Sequence, residues 1–392
     1  MRLRALAASL LVLGTLPSPV AAQTAPRKYL AFGDSITFGV GDNPDRARLG
    51  YPPRLETMLQ TAGVSATVLN LGVPGENTTV GVTRIDSVLP QGGPGDVLIL
   101  MEGTNDISRN IGIETTIFDL QAMARKAENR NMRVIHATVI PRDPSARVDA
   151  DNSLTDDLNG RIRDLAGTEQ RGLADPNEVY RNTPDLYAVY YSPLEPDPVG
   201  HPNAAGFLLL AQVFFNVIQG IDTVSPVPGV ITPSPGARNV RSDIPIEVDI
   251  WDFGAGIDLA STFLLVNGQV VTAAPIGNSR RAHLSYQSLA PLSGTVTLGL
   301  RSRDLATPPN TIDRVIGRFT ILGSGSGSLQ GDLNKDNRVD GTDLVLFGRS
   351  FGAQRGEAGY NTNADFNADN RVDGQDLAVL AANFGRTATA PS

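Results

Sequence analysis

Short apolar runs alternate with segments of helical period from Lys28 to about Gly220, and this pattern ends near Asp222. Such alternation is typical of an α/β domain in which helices connect the strands of a parallel sheet. The predicted strands are Tyr29–Phe32, Thr67–Leu71, Val97–Met101 and Val134–Ile140. The predicted helices, each with apolar residues on one face, are Pro53–Ala62, Ile117–Ala127 and a third that opens with Ser153 and Asp156 as a capping box.

The sequence pattern changes after Asp222, where prolines separate short alternating apolar runs that have no helical period. This pattern predicts a small antiparallel β-sandwich of about 100 residues, placed at 223–322. Its predicted strands are Ile244–Ile250, Phe263–Val266, Val270–Thr272, Val296–Leu300 and Arg318–Leu322. The stretch Pro233–Gly268, with its Pro-Ser-Pro-Gly and Phe-Gly-Ala-Gly-Ile-Asp motifs, resembles bacterial Ig-like domains.

The N-terminus begins Met1-Arg-Leu-Arg and continues with an apolar stretch, Ala5–Leu16, and the small residues Val20-Ala21-Ala22. This order predicts a signal peptide at 1–22 and a secreted, extracellular bacterial protein without a transmembrane segment in its mature form. A membrane anchor is the alternative. However, an apolar run of about a dozen residues falls short of the roughly 20 that span a bilayer.

The charge and the cysteine content exclude several classes of function. The formal net charge is −8, and loss of Arg2 and Arg4 with the signal peptide changes it to −10, so nucleic acid is not an expected partner. The 392 residues include no cysteine, which excludes disulfides, thiol nucleophiles and thiolate metal sites.

An acidic segment occurs twice near the C-terminus, starting at Asp332 and again 33 residues later at Asp365. Each copy carries oxygen-bearing side chains at relative positions 1, 3, 5, 9 and 12, which is the spacing of an EF-hand-type calcium loop. The backbone carbonyls of Arg338 and Arg371 would serve position 7. The predicted side-chain ligands are Asp332, Asn334, Asp336, Asp340, Asp343, Asp365, Asn367, Asp369, Asp373 and Asp376.

Aspartate at the twelfth position and the duplication make this region resemble dockerin domains of polysaccharide-degrading systems. The resemblance implies a module at 331–386, after a Gly/Ser linker at 323–330, that binds two calcium ions and a cohesin-like or cell-surface protein partner. Asn337 and Asn370 stand where glycine is usual, and asparagine tolerates the left-handed conformation that the turn needs. Each repeat is too small to fold alone, so calcium and facing apolar residues are expected to stabilise the module. These facing residues are predicted to be Leu344, Phe347 and Phe351 against Leu377, Leu380 and Phe384.

The segment Gly33-Asp34-Ser35-Ile36-Thr37 directly follows the first predicted strand. Parallel strands deliver side chains to the carboxyl edge of the sheet, where ligands bind. If Ser35 also starts a helix, its backbone N–H and the positive helix end can stabilise a developing oxyanion. A turn serine is the alternative, because Gly-Asp-Ser clusters are common in turns.

Three further segments follow in order, namely Asn70-Leu-Gly-Val-Pro-Gly75, Gly103-Thr-Asn105-Asp106 and His201-Pro-Asn203. Together with the Ser35 segment they resemble the four sequence blocks of the SGNH (GDSL-type) hydrolases over about residues 28–218. The resemblance implies a three-layer, flavodoxin-like α/β domain, placed at 28–220. It also implies that Ser35 is the nucleophile and His201 the general base. The implied oxyanion hole comprises the N–H groups of Ser35 and Gly75 and the side-chain amide of Asn105.

The last block departs from the family pattern, in which an aspartate three residues before the histidine orients the imidazole. Pro198 occupies that position, and Asp197 stands one residue earlier. We predict that Asp197 is the third member of the triad, reaching the imidazole through an extra loop residue accommodated at Gly200. Glu195 or a backbone carbonyl is the alternative.

Several other residues resemble catalytic groups. His136 lies in an apolar predicted strand and is expected to be a packed or structural residue, whereas His283 belongs to the β-rich region, far in sequence from the hydrolase segment. Asp34 and Asp106 are expected to bond local backbone amides. The segment Gly348-Arg-Ser350-Phe-Gly352 matches the Gly-x-Ser-x-Gly elbow of α/β-hydrolases, but no predicted strand precedes it, so we interpret the match as coincidence.

These features predict a secreted serine carboxylic ester hydrolase that works through an acyl-enzyme and needs no cofactor for catalysis. The dockerin resemblance favours an acetylated polysaccharide or a related glycan as the substrate. One alternative is a short-chain or lipid esterase of the lysophospholipase or arylesterase type. Another is a non-catalytic, calcium-dependent adhesion or scaffold protein, which Pro198 would support.

Overall fold

The computed structural model describes residues 27–43, 48–144, 148–192, 200–321, 330–334, 338–357 and 359–386. The predicted signal peptide at 1–22 therefore lies outside the described residues, as do Glu195 and Asp197. The same holds for the predicted linker at 323–330 except Gln330, and for Asp336 and Asn337 of the first acidic repeat.

A five-stranded parallel sheet forms the centre of the N-terminal half. Its strands lie in the order β2-β1-β3-β4-β5, and all neighbouring pairs are parallel. This is the strand order of flavodoxin-like folds, so the predicted α/β architecture with a parallel sheet is confirmed. The strands are β1 (Arg27–Gly33), β2 (Ala66–Gly72), β3 (Val97–Met101), β4 (Arg133–Ala137) and β5 (Gly172–Ala174).

Helices cover both faces of this sheet because successive strand residues point to opposite sides. In β3, Ile99 packs in one core with the helices α2 and α9, whereas Leu98 and Leu100 pack in the other with α3, α5 and α6. The helices are α1 (Ser35–Phe38), α2 (Tyr51–Thr61), α3 (Thr78–Val88), α4 (Thr104–Ser108), α5 (Ile113–Glu128), α6 (Ser153–Thr168), α7 (Pro176–Arg181), α8 (Leu186–Val189) and α9 (Ala204–Gln219).

The start of α6 differs from the prediction, because Ser153 and Asp156 do not form a capping box. Asn152 is the N-cap residue, has a left-handed conformation and makes no side-chain cap bond. The carboxylate of Asp149 instead accepts hydrogen bonds from the N–H groups of Leu154 and Thr155, both at 2.8 Å. A carboxylate from the preceding turn thus satisfies the free N–H groups of the first helical turn.

Residues 227–320 form two four-stranded antiparallel sheets, in the orders β10-β11-β7-β6 and β13-β12-β8-β9. Val248 and Leu284 of the first sheet share one hydrophobic core with Leu264 and Leu298 of the second. The strands are β6 (Val227–Thr232), β7 (Ile246–Trp251), β8 (Phe263–Val266), β9 (Gln269–Val270), β10 (Ile276–Gly277), β11 (Arg281–Tyr286), β12 (Thr295–Arg303) and β13 (Thr311–Thr320).

Five of these strands differ clearly from the prediction. β6, β10 and β11 were not predicted. β9 covers Gln269–Val270 rather than Val270–Thr272, and β13 begins at Thr311 and ends at Thr320 rather than covering Arg318–Leu322. β6 contains Pro228, which lowers the propensity for a strand, and β6 lies at the edge of its sheet, where proline is tolerated.

The β-rich region packs directly on α6. The Trp251 indole N–H donates to Asp164, and the Arg163 guanidinium donates to the carbonyl of Pro228 at 2.9 Å. A Cβ on Gly160 would lie 2.4 Å from the carbonyl oxygen of Gly229, so this contact requires a residue without a side chain. The two regions therefore have close backbone contact.

The C-terminal repeats form two short helices, α10 (Gly341–Gly348) and α11 (Gly374–Asn383). Phe347 and Leu380 are buried as predicted, but Phe351 and Phe384 are 53% and 51% exposed. The other predicted facing residues, Leu344 and Leu377, are also exposed, because helices this short direct few side chains inward. Loop residues complete the core instead, which consists of Val339, Phe347, Ala364, Phe366, Val372 and Leu380.

None of the helices in the part of the chain that the structure describes is both long and apolar enough to cross a membrane.

Candidate active site

Ser35 and His201 are in direct contact at the carboxyl edge of the parallel sheet. The Ser35 Oγ lies 2.8 Å from the His201 Nε2, although 166 positions separate the two residues in the chain. Ser35 is the first residue of α1 and is only 6% exposed. A hydroxyl that is hydrogen-bonded to a neutral imidazole can transfer its proton to that imidazole and attack a carbonyl carbon.

The turn between β1 and α1 places the Ser35 side chain at this edge. Asp34 is the N-cap residue of α1, and its carboxylate accepts the backbone N–H of Ile36 at 2.8 Å. This bond confirms the predicted local structural role of Asp34. Asp34 is also buried, and this burial raises its pKa to about 6.

The His201 segment is held by backbone hydrogen bonds and by a helix cap. The His201 carbonyl accepts the N–H of Ser192 at 2.9 Å, and the Asn203 side chain caps α9. A Cβ on Gly41 would lie 2.7 Å from the carbonyl oxygen of Pro202. Gly41 thus lets the chain after α1 approach the histidine segment, a role that no local sequence pattern indicated.

Gly75 and Asn105, the two predicted oxyanion donors besides Ser35, lie after the neighbouring strands. Gly75 follows β2 and has a φ of 78°, a conformation that favours glycine. The Asn105 amide donates to the Glu76 carbonyl oxygen at 2.8 Å and to the Asp34 carboxylate at 3.3 Å. The shorter bond anchors the amide, whereas an oxyanion can compete for the longer and weaker one.

Asp106 bonds its own backbone amide, as predicted, and also connects the Asn105 segment to α3. Its carboxylate accepts the hydroxyl of Thr78, the backbone N–H of Thr78 at 3.1 Å and the hydroxyl of Thr116 at 3.1 Å. Burial raises the pKa of Asp106. Its donors come from α3 and α5, so Asp106 links three helices next to the site.

The sequence analysis assigned no role to several polar groups near the site. Glu76 forms an ion pair with Arg84 at 2.6 Å, and the Arg84 guanidinium lies 3.9 Å from the centroid of the Phe32 ring. Glu102, directly after β3, is 1% exposed. Arg142 is equally buried and donates to the carbonyl of Thr104 at 2.6 Å. An acidic residue that directly follows an apolar strand was the available signal for Glu102.

The other two histidines lie in other elements of the fold. His136 is in β4, where burial and the Arg171 guanidinium lower its pKa to about 3 and keep the imidazole neutral. Its Nε2 lies 3.4 Å from that guanidinium. His283 is in β11, and its Nδ1 lies 3.1 Å from the carboxylate of Asp249. Ser350 lies in the turn after α10, which is not the strand-to-helix turn that a nucleophile elbow requires.

The second acidic repeat brings three of its predicted ligands together. Carboxylate oxygens of Asp365, Asp369 and Asp376 all lie within 4.8 Å of one another. Asn370 has a φ of 67°, as predicted for an asparagine in the glycine position of the loop. Asp373 is the N-cap residue of α11 and accepts the N–H of Gln375. Burial raises the pKa of Asp365 to about 7.

The aspartate at the twelfth position makes equivalent hydrogen bonds in each of the two repeats. Asp376 accepts the N–H groups of Phe366 at 2.6 Å and Asn367 at 3.1 Å. Asp343 makes the same bonds to Leu333 at 2.7 Å and Asn334 at 3.1 Å. Both aspartates also form capping boxes with the residues at position 9. Clustered carboxylate oxygens are the donor set of a hard divalent cation, so the second repeat fits calcium.

Family comparisons identify two parts of the chain. The model of the GDSL-like lipase/acylhydrolase family matches residues 31–208, and the model of the dockerin type I domain matches residues 330–384. The chain therefore contains a GDSL-like lipase/acylhydrolase domain and a dockerin type I domain, and it is an ester hydrolase. Dockerin type I domains generally bind calcium and cohesins, and proteins that carry them are typically extracellular.

Solved structures of similar fold align with about half of the chain. A lipase/acylhydrolase from Enterococcus faecalis is 21% identical, with a TM-score of 0.41, over 50% of this chain and 96% of that one. A G-D-S-L family lipolytic protein from Veillonella parvula DSM 2008 is 20% identical, with a TM-score of 0.42, over 49% and 98%. An acetylxylan esterase from Geobacillus stearothermophilus is 21% identical, with a TM-score of 0.39, over 50% and 94%. No curated protein matches the chain.

Proposed function

We propose that this protein is a secreted serine carboxylic ester hydrolase that removes acetyl groups from a polysaccharide or a related glycan. The observation that carries the catalytic part is the 2.8 Å contact between the Ser35 Oγ and the His201 Nε2. It supports Ser35 as the nucleophile and His201 as the general base. Asp34 and Asn105, which flank the nucleophile, also contact each other.

In the first half of the reaction, the Ser35 Oγ attacks the ester carbonyl carbon while its proton passes to the His201 Nε2. The tetrahedral oxyanion accepts hydrogen bonds from the N–H groups of Ser35 and Gly75 and from the Asn105 amide. The imidazolium then gives its proton to the departing alcohol oxygen, which leaves an acyl group on Ser35.

Water completes the cycle in the second half. His201 takes a proton from the water as it attacks the acyl carbon, and the imidazolium then gives this proton to the Ser35 Oγ as the carboxylic acid leaves. We assign the orientation of the imidazole to Asp197, with Glu195 or a backbone carbonyl as the alternative. The rise in the pKa of Asp34 to about 6 concerns a carboxylate with a separate role at the N-cap of α1.

The dockerin type I domain supports a glycan substrate, because such domains join enzymes to polysaccharide-degrading assemblies. We further propose cleavage of a signal peptide at 1–22, a catalytic domain at 28–220, an Ig-like spacer at 223–322 and a calcium module at 331–386 after the linker at 323–330. The module would bind two calcium ions through the ten side chains predicted from the sequence and a cohesin-like or cell-surface partner.

A substrate panel tests this proposal. The protein beginning at Gln23 is assayed on acetylated xylan, on lysophospholipid and on nitrophenyl esters of increasing acyl length. We expect release of acetate from the xylan and a preference for the acetyl ester. A preference for long acyl chains would replace the glycan by a lipid substrate. The absence of hydrolysis on all substrates would favour a non-catalytic adhesion or scaffold role.

A further inference from the structure

A buried group of three carboxyls lies next to the catalytic serine, and the mechanism above does not use all of them. Asp34, Glu76 and Glu102 are 1%, 4% and 1% exposed. They come from the ends of three neighbouring strands: Asp34 follows β1, Glu76 lies in the segment after β2, and Glu102 follows β3. Carboxylates that share a water-excluded site cannot all be ionised unless cations or hydrogen-bond donors compensate them.

The three carboxyls differ in the donors that reach them. Asp34 accepts the N–H of Ile36 at 2.8 Å and the amide of Asn105 at 3.3 Å. Glu76 accepts the Arg84 guanidinium with both carboxylate oxygens, at distances from 2.6 to 2.9 Å. Among the described residues, no N–H or O–H group donates to either oxygen of Glu102. The Glu76 carboxylate is a side-chain hydrogen-bond partner for Glu102 if one of the two carries a proton, and it also acts on Glu102 as a neighbouring charge.

The charged groups around Glu102 are mostly acidic. Asp34, Glu76 and Asp106 face it, and Asp119 of α5 lies beyond Thr78, whose hydroxyl also bonds Asp106. Among the described residues, the Arg84 guanidinium pairs with Glu76 rather than with Glu102. The groups facing Glu102 therefore disfavour a negative charge on it.

We propose that Glu102 carries a proton in the resting enzyme and donates it in a hydrogen bond to the Glu76 carboxylate, which holds the oxyanion-hole segment in position. Glu102 is thus a positioning residue rather than a catalytic one. The inference rests on the proposed serine esterase function for its kinetic consequences, whereas the protonation of Glu102 is independent of that function.

Glu76 is connected to both oxyanion donors that lie outside the serine segment. It follows Gly75 in the chain, and its own carbonyl oxygen accepts the Asn105 amide at 2.8 Å. A displacement of Glu76 would therefore move the Gly75 N–H and the Asn105 amide together. Because these donors act on the transition state, their displacement lowers kcat more than it raises KM.

The pH dependence of activity and of stability follows from the direction in which the pKa of Glu102 is shifted. Burial, together with the charges of Asp34, Glu76 and Asp106, raises the pKa of Glu102 well above its ordinary value. The proton is therefore retained above the pH range in which an ordinary glutamate loses it, and its loss at higher pH would leave two carboxylates that repel each other. The unfolded chain releases this proton near the ordinary pKa, so stability falls as the pH rises from that value to the folded-state pKa.

The kinetic test compares Glu102→Gln, whose amide is a neutral donor of the same shape, with Glu102→Ala over a range of pH. We expect Glu102→Gln to stay within about threefold of the native kcat at neutral pH and to retain activity at alkaline pH, where the native enzyme loses it. Glu102→Ala is expected to lose at least about tenfold in kcat with little change in KM. Glu128→Gln is the control, because Glu128 pairs with Arg171 at the opposite edge of the sheet.

Equal impairment of Glu102→Gln and Glu102→Ala, or an alkaline loss of activity that persists in Glu102→Gln, would overturn the proposal. Infrared spectra of Ser35→Ala with and without Glu102→Gln measure the proton directly. At neutral pH, the carbonyl band of a protonated carboxyl is expected to be less intense in the variant that combines Ser35→Ala with Glu102→Gln than in Ser35→Ala alone. An unchanged band overturns the protonation of Glu102, whereas a lack of Ser35-dependent hydrolysis overturns only the proposed function.

Discussion

The catalytic edge around Ser35 and the second acidic repeat around Asp365 both hold several carboxyl groups out of water, but they compensate them differently. At the catalytic edge, backbone N–H groups, hydroxyls and the Arg84 guanidinium reach Asp34, Asp106 and Glu76. In the repeat, backbone N–H groups and the Tyr360 hydroxyl also reach Asp365 and Asp376. However, the three carboxylates lie within 4.8 Å of one another, and no cationic side chain pairs with them among the described residues.

This difference separates a preorganised site from a site that an ion completes. Groups that already have partners keep their geometry without a ligand, which is what an oxyanion hole requires. Carboxylates that repel one another are stabilised when a divalent cation binds between them, so calcium binding contributes folding free energy to the module. Catalysis and calcium binding should therefore respond separately to mutation and to chelators.

The largest effect is expected from Ser35→Ala, which removes the proposed nucleophile from the preorganised site. Turnover of p-nitrophenyl acetate should fall at least about 1000-fold, because only binding and the oxyanion donors remain. Steady-state kinetics measure this loss. Ser350→Ala is the matched control, since it removes the serine of the Gly-x-Ser-x-Gly segment and should leave the rate unchanged. Equal rates for native protein and Ser35→Ala would refute the catalytic assignment.

Asn105→Ala tests whether the Asn105 amide stabilises the oxyanion at the catalytic edge. Loss of one oxyanion donor should lower kcat roughly 100- to 1000-fold and leave KM nearly unchanged. The variant also loses the bond to the Glu76 carbonyl, so its melting temperature is measured in parallel. Asn129→Ala, at the C-cap of α5, serves as the control. A decrease of only a few-fold would remove Asn105 from the oxyanion hole.

Calcium should act on the repeats and leave the catalytic edge unaffected. At a calcium concentration of about 100 times Kd, the unfolding free energy of the module should rise by about 2.7 kcal/mol per site. Calorimetry with calcium and with chelator measures this rise, and hydrolysis of p-nitrophenyl acetate is followed in the same samples. Loss of hydrolysis in chelator would show that the two regions depend on each other.

The smallest effect is expected from Asp369→Asn, and its sign should depend on calcium. Without calcium, removal of one charge from the cluster should stabilise the module by about 0.5 kcal/mol, because repulsion between neighbouring carboxylates decreases. With calcium, the variant should be less stable than the native protein because a ligand is lost. Melting curves under both conditions test this, with Asp86→Asn as the exposed control. The same sign under both conditions would argue against a cation site.

Much of the fold was predictable because the signals were local. The apolar runs of β1, β2 and β3 and the periodicity of α2 and α5 determined these elements to within a few residues. β5 was missed because its three residues make no distinct pattern, and it is a strand only because β4 lies beside it. The cap of α6 was assigned to the wrong residues because Asp149 reaches it from the preceding turn.

The candidate site, like the fold, was predictable where the signals were local and not where they depended on tertiary contacts. The four segments with Ser35, Gly75, Asn105 and His201 were identified by their resemblance, in a fixed order, to the sequence blocks of the SGNH hydrolases. The interior residues beside them were not, because the burial of Glu102 and its contact with Glu76 depend on three strands that meet at one edge.

The sequence by itself determined which chemical groups are available, in what order they occur and which repeats carry the oxygen ligands. These are properties of residue type and local spacing. The tertiary structure alone decided that the hydroxyl of Ser35 lies 2.8 Å from the imidazole of His201 and that Glu102 is enclosed without a donor among the described residues. The physical reason is that such distances and burial arise from contacts between segments far apart in the chain, which no local pattern records.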